Sequence, residues 1–188
     1  SQRSGIFLMK FDLDQVIRKV PNFPKKGILF YDITGILSNP EAFQYIIDEM
    51  TSCYQKKKIT HIIAIESRGF LFAAPLALRL KIPMILARKK GKLPHKTISR
   101  SYELEYGQAT LEIQEIDLKN NMNGVLVDDL IATGGTLKAT AEMLQSKGVT
   151  VNHIFSVVGL PFLNYEDALK DYEVKTLINY DTELIKGV

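Results

Sequence analysis

The sequence has few of the residues that define several classes of protein. Its 188 residues include one cysteine, Cys53, and no tryptophan. A single cysteine excludes a disulfide framework within the chain and is typical of a reducing compartment, so we expect a cytoplasmic location. No apolar run approaches the roughly 20 residues that a membrane-spanning helix needs, so we expect no membrane partner. Residues 1–8 lack the pattern of a secretory signal, and we expect them to be a tag scar or a trimmed start.

The sequence also has little net charge. It carries 24 Lys and Arg against 21 Asp and Glu, a formal net charge of +3. This small value argues against a nucleic-acid partner, because domains that bind nucleic acid are usually strongly basic. The positive charge is nevertheless concentrated, since the stretch 79–100 holds eight basic residues and no acidic one: Arg79, Lys81, Arg88, Lys89, Lys90, Lys92, Lys96 and Arg100. This basic stretch predicts a site for a small, multiply charged anion.

Patterns typical of strands and helices alternate along the chain. Short apolar runs predict strands, and apolar stripes at helical spacing predict the helices between them. The predicted strands are 61–65, 84–87, 124–127, 149–158 and 175–178, and the predicted helices are 12–20, 39–54, 69–80, 136–147 and 165–170. Uniformly apolar strands that alternate with helices predict an α/β fold with a central parallel sheet flanked by helices, in one domain over 1–188.

One stretch, 91–116, breaks this alternation. It contains two glycines, a proline, many polar residues and two β-like runs, at 97–106 and 110–116. We expect a flexible β-arm inserted into the α/β domain. Arms of this length often act as lids over active sites.

The most informative segment is 125–136. A buried strand leads to the paired carboxylates of Asp128 and Asp129, and a short turn then opens a helix. Glycines allow backbone N–H groups to approach a ligand, and a helix N-terminus favours a dianion. The residues that we predict to hold a phosphate monoester form this turn: Ala132, Thr133, Gly134, Gly135 and Thr136.

The carboxylate pair next to this turn cannot hold the phosphate, but it can accept hydrogen bonds from hydroxyl groups of the same ligand. Phosphate donors beside paired acceptors describe a 5-phosphorylated ribose. The segment lacks the Gly-Lys-Ser/Thr of a P-loop and the spaced glycines of a dinucleotide-binding turn. The alternative is a strand followed by an ordinary glycine turn with Asp129 as a helix cap. The Asp pair, the preceding strand and the hydroxyl donors of the two threonines together favour the ligand-binding interpretation over this alternative.

This segment resembles the signature of the type I phosphoribosyltransferases, which bind 5-phosphoribosyl-1-pyrophosphate. Three further stretches, in the family's order, resemble its adenine-using members. The stretch NFPKKGILFYDI at 22–33 resembles the hood that binds the base, and ESRGF at 66–70 resembles the pyrophosphate loop. RKKGKLP at 88–94, continuing to SYELEYG at 101–107, resembles the mobile catalytic arm. The resemblance implies a type I phosphoribosyltransferase-like fold with a hood at about 12–36 and a flexible arm at about 91–116.

The resemblance implies a reaction of purine salvage. Adenine and phosphoribosyl pyrophosphate (PRPP) would give AMP and pyrophosphate, with Mg²⁺ as cofactor and a homodimer as the assembly. The metal would be bound mainly through the pyrophosphate and ribose of the substrate, with no direct protein ligand. Breaking the ribose C1–O bond gives an oxocarbenium-like transition state, so positioned positive charge on the leaving pyrophosphate would do much of the work.

The resemblance also assigns residues to the pyrophosphate. It makes Arg68 a catalytic residue, and it implies a cis peptide bond between Glu66 and Ser67. The basic residues Arg88, Lys89 and Lys92 match the family's pyrophosphate contacts, and in related dimers some of them reach the neighbouring subunit's site. The alternative for Arg68 is a surface arginine in a helix cap.

For proton transfer, the resemblance points to Glu105, placed to handle the proton at adenine N7. Glu103 lies two residues away on the same strand face, so spacing alone does not choose between them. Tyr102 and Tyr106 would close the arm over the site or face the hairpin. The alternative for both acids is a solvated position on a β-hairpin.

The adenine ring needs a flat apolar slot with backbone hydrogen bonds along one edge. The resemblance implies that Phe30 stacks on one face and Leu130 on the other, while backbone atoms of Leu29 and Tyr31 read the edge. Tyr31 stands where the family usually has Arg, and Lys26 stands where it usually has Pro. Readout by the backbone tolerates such changes. The alternative for Phe30 is an ordinary core aromatic.

Three rival hypotheses remain at this point. The first is the same chemistry with hypoxanthine, guanine or orotate. An oxopurine enzyme would place a lysine against the six-position oxygen, and we expect no lysine in that position from the hood or from the residues just after the Asp pair. The second is a regulator that senses PRPP and binds nucleic acid, for which the chain offers no additional module. The third is a catalytically silent α/β protein, against which Arg68 and Glu105 argue.

Overall fold

A computed structural model of the chain describes residues 10–103 and 107–183. These residues form two compact units, one made of residues up to Glu49 together with Glu183, and the other running from Met50 to Thr182. The predicted hood lies in the first unit and the predicted arm in the second. A single domain over 1–188 stays a prediction.

The first described residues of the first unit do not form the predicted helix. The prediction of a helix over 12–20 is wrong. A single 3-10 turn, Leu13–Gln15, is capped by the Asp12 carboxylate and is followed by strand β1, Arg18–Pro21. Strand β1 pairs antiparallel with β2, Leu29–Asp32. Pairing between strands outweighs the weak helix propensity of a segment whose valines and isoleucine also suit a strand.

Two helices follow β2. Helix α1 is a single turn, Thr34–Leu37, and α2 spans Pro40–Tyr54, as the sequence predicts. The Asn39 side chain accepts a hydrogen bond from the Ala42 N–H at 3.0 Å. This is the N-cap expected of an Asn-Pro pair at a helix start.

The second unit is built on a seven-stranded sheet. Its strands are β3 His61–Ile65, β4 Met84–Lys89, β5 Thr97–Glu103, β6 Gln108–Gln114, β7 Asn123–Ile131, β8 Thr150–Gly159 and β9 Glu173–Asn179. Its helices are α3 Phe70–Leu80, α4 Gly135–Gln145 and the single turn α5 Tyr165–Ala168. The strand order is β5-β6-β4-β3-β7-β8-β9. Five neighbouring strands, β4-β3-β7-β8-β9, are parallel. The predicted α/β fold with a central, mostly parallel sheet is confirmed.

The two β-like runs of the arm form a hairpin. Strands β5 and β6 pair antiparallel, and β6 continues the sheet by pairing antiparallel with β4. The arm therefore extends the sheet through β6, and β5 forms its edge. Its mobility stays a prediction.

The order in which successive strands are added to the sheet reverses between the neighbouring strands β3 and β7. Strand β3 leads through α3 to β4 on one side, whereas β7 leads through α4 to β8 on the other. Ligands of open α/β sheets bind at the carboxyl ends of strands that flank such a reversal. The sequence predicts that β7 ends at Val127, but the strand continues to Ile131 because it keeps pairing with β8. On the side of β3, pairing stops at Val127.

Candidate active site

A cavity of about 280 Å³ lies at the carboxyl ends of β3 and β7. It is lined by Ile65, Glu66, Ser67, Arg68, Lys89, Tyr102, Leu111, Asp128, Asp129, Leu130 and Thr136. Strand β3 has ended here while β7 continues, so the part of β7 that carries the two aspartates has no β3 residues paired beside it. The cavity is the one that the strand reversal predicts.

The 66–69 turn is held tightly against β7. A Cβ atom on Gly69 would lie 2.6 Å from the Ile65 carbonyl oxygen and 2.8 Å from that of Val127. Only glycine permits this approach, which sets Ser67 and Arg68 beside the aspartates. The peptide bond between Glu66 and Ser67 is cis, as the resemblance implies.

Arg68 and Asp129 form the closest ion pair of the cavity. The Arg68 Nε–H donates to Asp129 Oδ2 at 2.6 Å, with the Asp129 carboxylate 5% exposed and the Arg68 side chain 49% exposed. Arg68 therefore belongs to the site and is no isolated surface cap. The planar guanidinium remains accessible from the cavity and can donate paired hydrogen bonds to an anion such as phosphate.

Asp128 differs from its neighbour. Its Oδ1 accepts a hydrogen bond from the Asp129 N–H at 2.8 Å. Burial, together with the adjacent Asp129 carboxylate, raises the pKa of Asp128 well above its usual value. Shared burial of two carboxyl groups is the usual physical reason for such a shift, and it is common at functional sites.

Glu66 ties the turn to β4. Its carboxylate accepts hydrogen bonds from the Lys89 backbone N–H at 2.8 Å and from the Arg88 Nε–H at 3.3 Å. Burial alone would raise the pKa of Glu66, but the Lys89 N–H and the Arg88 charge outweigh it and lower that pKa. The Glu66 carboxylate therefore links the 66–69 turn to the end of β4, through the Arg88 side chain and the Lys89 backbone.

The 132–136 turn forms a second, adjoining cavity of about 100 Å³, lined by Asp128, Leu130, Ile131, Ala132, Thr133, Gly134, Gly135, Thr136 and Leu137. Gly134 has a left-handed backbone (φ 83°), and α4 begins at the next residue. The first N–H groups of a helix have no partner within it, so they are available to a ligand. Every residue predicted to hold the phosphate therefore lines one small cavity beside the aspartates.

The basic stretch 79–100 does not act as one patch. Lys89 lines the larger cavity and Arg88 reaches its edge through Glu66. Lys92 is exposed in the turn after β4, outside the cavity lining. Lys96 instead pairs with Glu115 at 3.0 Å, and Arg100 pairs with Glu142. Part of the stretch's charge therefore neutralises acids of the same unit, which linear charge counting cannot detect.

The arm contributes Tyr102 and Leu111 to the lining of the cavity. Of the two alternatives predicted for Tyr102, a position over the site agrees with this lining, whereas Leu111 is not among the predicted residues. Glu103 is exposed, where its Oε1 accepts a hydrogen bond from the Gln108 side-chain amide at 3.4 Å. The predicted roles of Glu105 and Tyr106 fall outside the described residues.

Of the predicted base-binding residues, Leu29, Phe30 and Tyr31 lie on β2 of the first unit, whereas Leu130 lies on β7 of the second. Phe30 is half-buried, with its ring centroid 5.0 Å from that of Phe23. Tyr31, which stands where the family usually has Arg, is buried and therefore takes a core position. The Leu29 N–H donates to the Glu183 carbonyl oxygen at 2.6 Å, so this N–H already has a partner within the first unit.

Comparison with known proteins agrees with this geometry. The family model of the phosphoribosyl transferase domain matches residues 32–185. An adenine phosphoribosyltransferase of Treponema denticola is 56% identical over 184 residues, covering 97% of this chain and 97% of that protein. The crystal structure of adenine phosphoribosyltransferase from Thermoanaerobacter pseudethanolicus superposes with a TM-score of 0.85 at 43% identity, covering 89% of this chain and 98% of that one.

Another solved structure, of lower sequence identity, is a complex with ligands. The adenine phosphoribosyl transferase of Trypanosoma brucei in complex with AMP, pyrophosphate and ribose-5-phosphate has a TM-score of 0.83 at 27% identity, covering 93% of this chain and 80% of that one.

The family model and these relatives place the chain, with its aspartate pair and glycine turn at the strand reversal, among the phosphoribosyl-transferring enzymes. Its relatives narrow the class, and the chain belongs to the adenine phosphoribosyltransferase family.

Proposed function

We propose that this chain transfers the 5-phosphoribosyl group of PRPP to adenine and releases AMP and pyrophosphate. The observation that carries the proposal is that the 132–136 turn, the aspartate pair and Arg68 all open into adjoining cavities. These are the recognition elements for a phosphate, a sugar hydroxyl and a second anion, in the order in which PRPP presents them. Relatives named for the same reaction support the proposal.

In this proposal the pyrophosphate lies against the 66–69 turn. Arg68 and Lys89 bring positive charge to the cavity, and both would neutralise the leaving group as the C1–O bond breaks. Charge that is already positioned in a partly dehydrated site costs little reorganisation at the moment of reaction.

On the base side, we assign the adenine ring to Phe30 and Leu130, with backbone atoms of Leu29 and Tyr31 along its edge. Glu105 is our candidate for the proton at adenine N7. Such general acid–base help is worth about 100- to 10,000-fold.

Mg²⁺ belongs to the proposal as a partner of the pyrophosphate. The cavity fits this indirect mode of binding, because the Asp128 and Asp129 carboxylates line it beside the space proposed for the pyrophosphate, whose phosphate oxygens Mg²⁺ prefers. When bound, the metal would neutralise charge on the pyrophosphate. Among the described residues, no three His, Cys, Asp or Glu side chains form a metal-holding group by themselves.

A homodimer also belongs to the proposal, and helix α3 supports it. The exposed side of this helix carries large apolar residues, with Leu78 81% and Leu71 40% exposed, and its one charged residue is Arg79 in the last turn. A helix whose exposed side is largely apolar is normally covered, and a second copy of the chain is the partner that we propose. Leu78→Glu should therefore lower the mass measured by sedimentation, whereas Ile116→Glu, also at an exposed apolar residue, should not. An unchanged mass for Leu78→Glu would count against α3 as the interface.

We also place the enzyme in the cytoplasm, supported by the presence of one cysteine in the sequence, which excludes a disulfide within the chain. No helix in the described ranges is long and apolar enough to span a membrane.

The test of the reaction is product formation from PRPP with adenine, hypoxanthine, guanine and orotate in turn, with and without Mg²⁺. We expect AMP and pyrophosphate from adenine, with loss of activity when the metal is chelated. Hypoxanthine used as well as adenine would overturn the adenine assignment.

A matched pair of lysine variants links the activity to the cavity. Lys89→Ala should raise the KM for PRPP, because Lys89 lines the cavity. Lys96→Ala should leave it unchanged, because Lys96 is 82% exposed and paired with Glu115. Equal effects of the two variants would remove Lys89 from the pyrophosphate site.

A further inference from the structure

The two adjacent aspartates of β7 are in different physical situations. Asp128 is half-buried and lines both cavities, whereas Asp129 is almost completely buried and lines only the larger one. The ribose of PRPP is proposed to lie between these cavities. Asp128 is therefore the carboxylate in reach of both the phosphate side and the pyrophosphate side.

The Asp129 carboxylate is directed at Arg68. It accepts from Nε, the inner nitrogen of the guanidinium, at 2.6 Å. A guanidinium held at Nε leaves its two Nη groups to form the paired hydrogen bonds that a phosphate oxygen pair accepts. Within 10–103 and 107–183, neither Nη group of Arg68 donates a hydrogen bond to an acceptor of the chain.

The anchor that holds Arg68 is rigid. Asp129 lies inside β7, with its neighbours Asp128 and Leu130 in register with Ser156 and Val158 of β8. Gly69 presses the turn that carries Arg68 onto the same strand. A half-exposed arginine would otherwise sample many side-chain conformations, and fixing it before the substrate arrives lowers the entropy lost on binding.

We propose that the two aspartates have different roles in substrate binding. Asp128 accepts hydrogen bonds from the ribose hydroxyls, and Asp129 is a positioning residue that orients Arg68 toward pyrophosphate. This division rests on the proposed function, in which Arg68 binds the leaving group. It differs from the expectation that both carboxylates bind ribose.

The test uses two products that separate the two halves of the substrate. AMP carries the ribose and no pyrophosphate, and magnesium pyrophosphate carries no ribose. Affinities of both for the full chain and for Asp129→Ala, Asp129→Asn and Asp128→Asn would be measured by calorimetry, with thermal unfolding as a check on folding.

We expect Asp129→Ala to weaken pyrophosphate binding about tenfold or more, since misplacing a binding group by an ångström is costly, while AMP affinity stays within about twofold. Asp129→Asn should recover part of the loss, because its amide oxygen can still accept from Nε. Asp128→Asn should weaken AMP more than pyrophosphate. In an Arg68→Ala background, Asp129→Ala should produce no further loss of pyrophosphate affinity, as expected for residues that act through one another.

Two results would overturn the division: AMP weakened as much as pyrophosphate by Asp129→Ala, or an additional pyrophosphate loss in the Arg68→Ala background. Failure of the unsubstituted chain to bind either AMP or pyrophosphate would instead overturn the proposed function. The two failures are therefore distinguishable.

Discussion

Replacing Gly69 with alanine tests how strictly the 66–69 turn depends on close packing. The glycine has ordinary helical backbone angles (φ −58°, ψ −28°), so alanine causes no backbone strain there. The whole effect must come from the added methyl group. That group would lie 2.6 Å from the Ile65 oxygen and 2.8 Å from the Val127 oxygen, where ordinary contact begins at 3.4 Å.

The methyl group must therefore be displaced by about 0.8 Å from the Ile65 oxygen, the difference between 3.4 and 2.6 Å. Both obstructing atoms belong to the backbone of β3 and β7, so the turn has to move instead of a flexible side chain. Overpacking of this kind costs about 1–3 kcal/mol of stability. A displacement near 1 Å at a positioned group costs about 100-fold in rate, so we expect Gly69→Ala to lower kcat/KM for PRPP by that order.

The assays are urea unfolding and steady-state kinetics with PRPP and adenine. Gly135→Ala is the stability control, because its Cβ would meet only the Thr133 hydroxyl at 3.6 Å and alanine favours the helix that starts there. If Gly69→Ala unfolds at the same urea concentration as the unsubstituted chain and keeps kcat/KM within about threefold, the packing argument is wrong.

Three further predictions concern the surroundings of the site. Leu169 is buried and lies 3.0 Å from the position a Gly134 Cβ would take, so Leu169→Ala should cost about 2–5 kcal/mol and raise the KM for PRPP but not for adenine. Urea unfolding and kinetics check it, and equal changes in both KM values would contradict it. The raised pKa of Asp128 means that its contribution to stability is present at acidic pH and is lost as pH rises through the folded-state pKa, so Asp128→Asn should stabilise the chain near neutral pH and not in acid. Glu66 has the opposite sign: its lowered pKa gives stability above the ordinary carboxyl pKa, lost as pH falls through the folded value, so Glu66→Gln should destabilise mainly near neutral pH. Urea unfolding across pH measures both, and parallel pH profiles for the two variants would refute the assignment.

The local pattern of the sequence determined most of the second unit. Apolar runs at 61–65 and 149–158 and the helix at 69–80 have the predicted type, because burial on both faces leaves a continuous apolar signal that needs no knowledge of partners. The 125–136 segment likewise predicts its own site, since strand, carboxylates, turn and helix are consecutive in the chain. Its glycine with positive φ is a local requirement of that turn.

Tertiary structure decided what depends on partners distant in sequence. Residues 18–21 form a strand because β2 pairs with them, although the segment alone suggests a helix. Strand β7 extends to Ile131 because β8 continues beside it. The basic stretch is divided by acids far away in the chain, with Glu142 taking Arg100 and Glu66 taking Arg88.

The aspartate pair shows the same separation within one motif. The sequence by itself determined that two carboxylates follow a buried strand and precede a phosphate turn. Only the tertiary structure decided that they differ, because Arg68 reaches Asp129 across 61 residues of chain and no local pattern encodes that contact. Chemistry carried by consecutive residues can be read from the sequence, whereas the charge and orientation of each group depend on what folding places beside it.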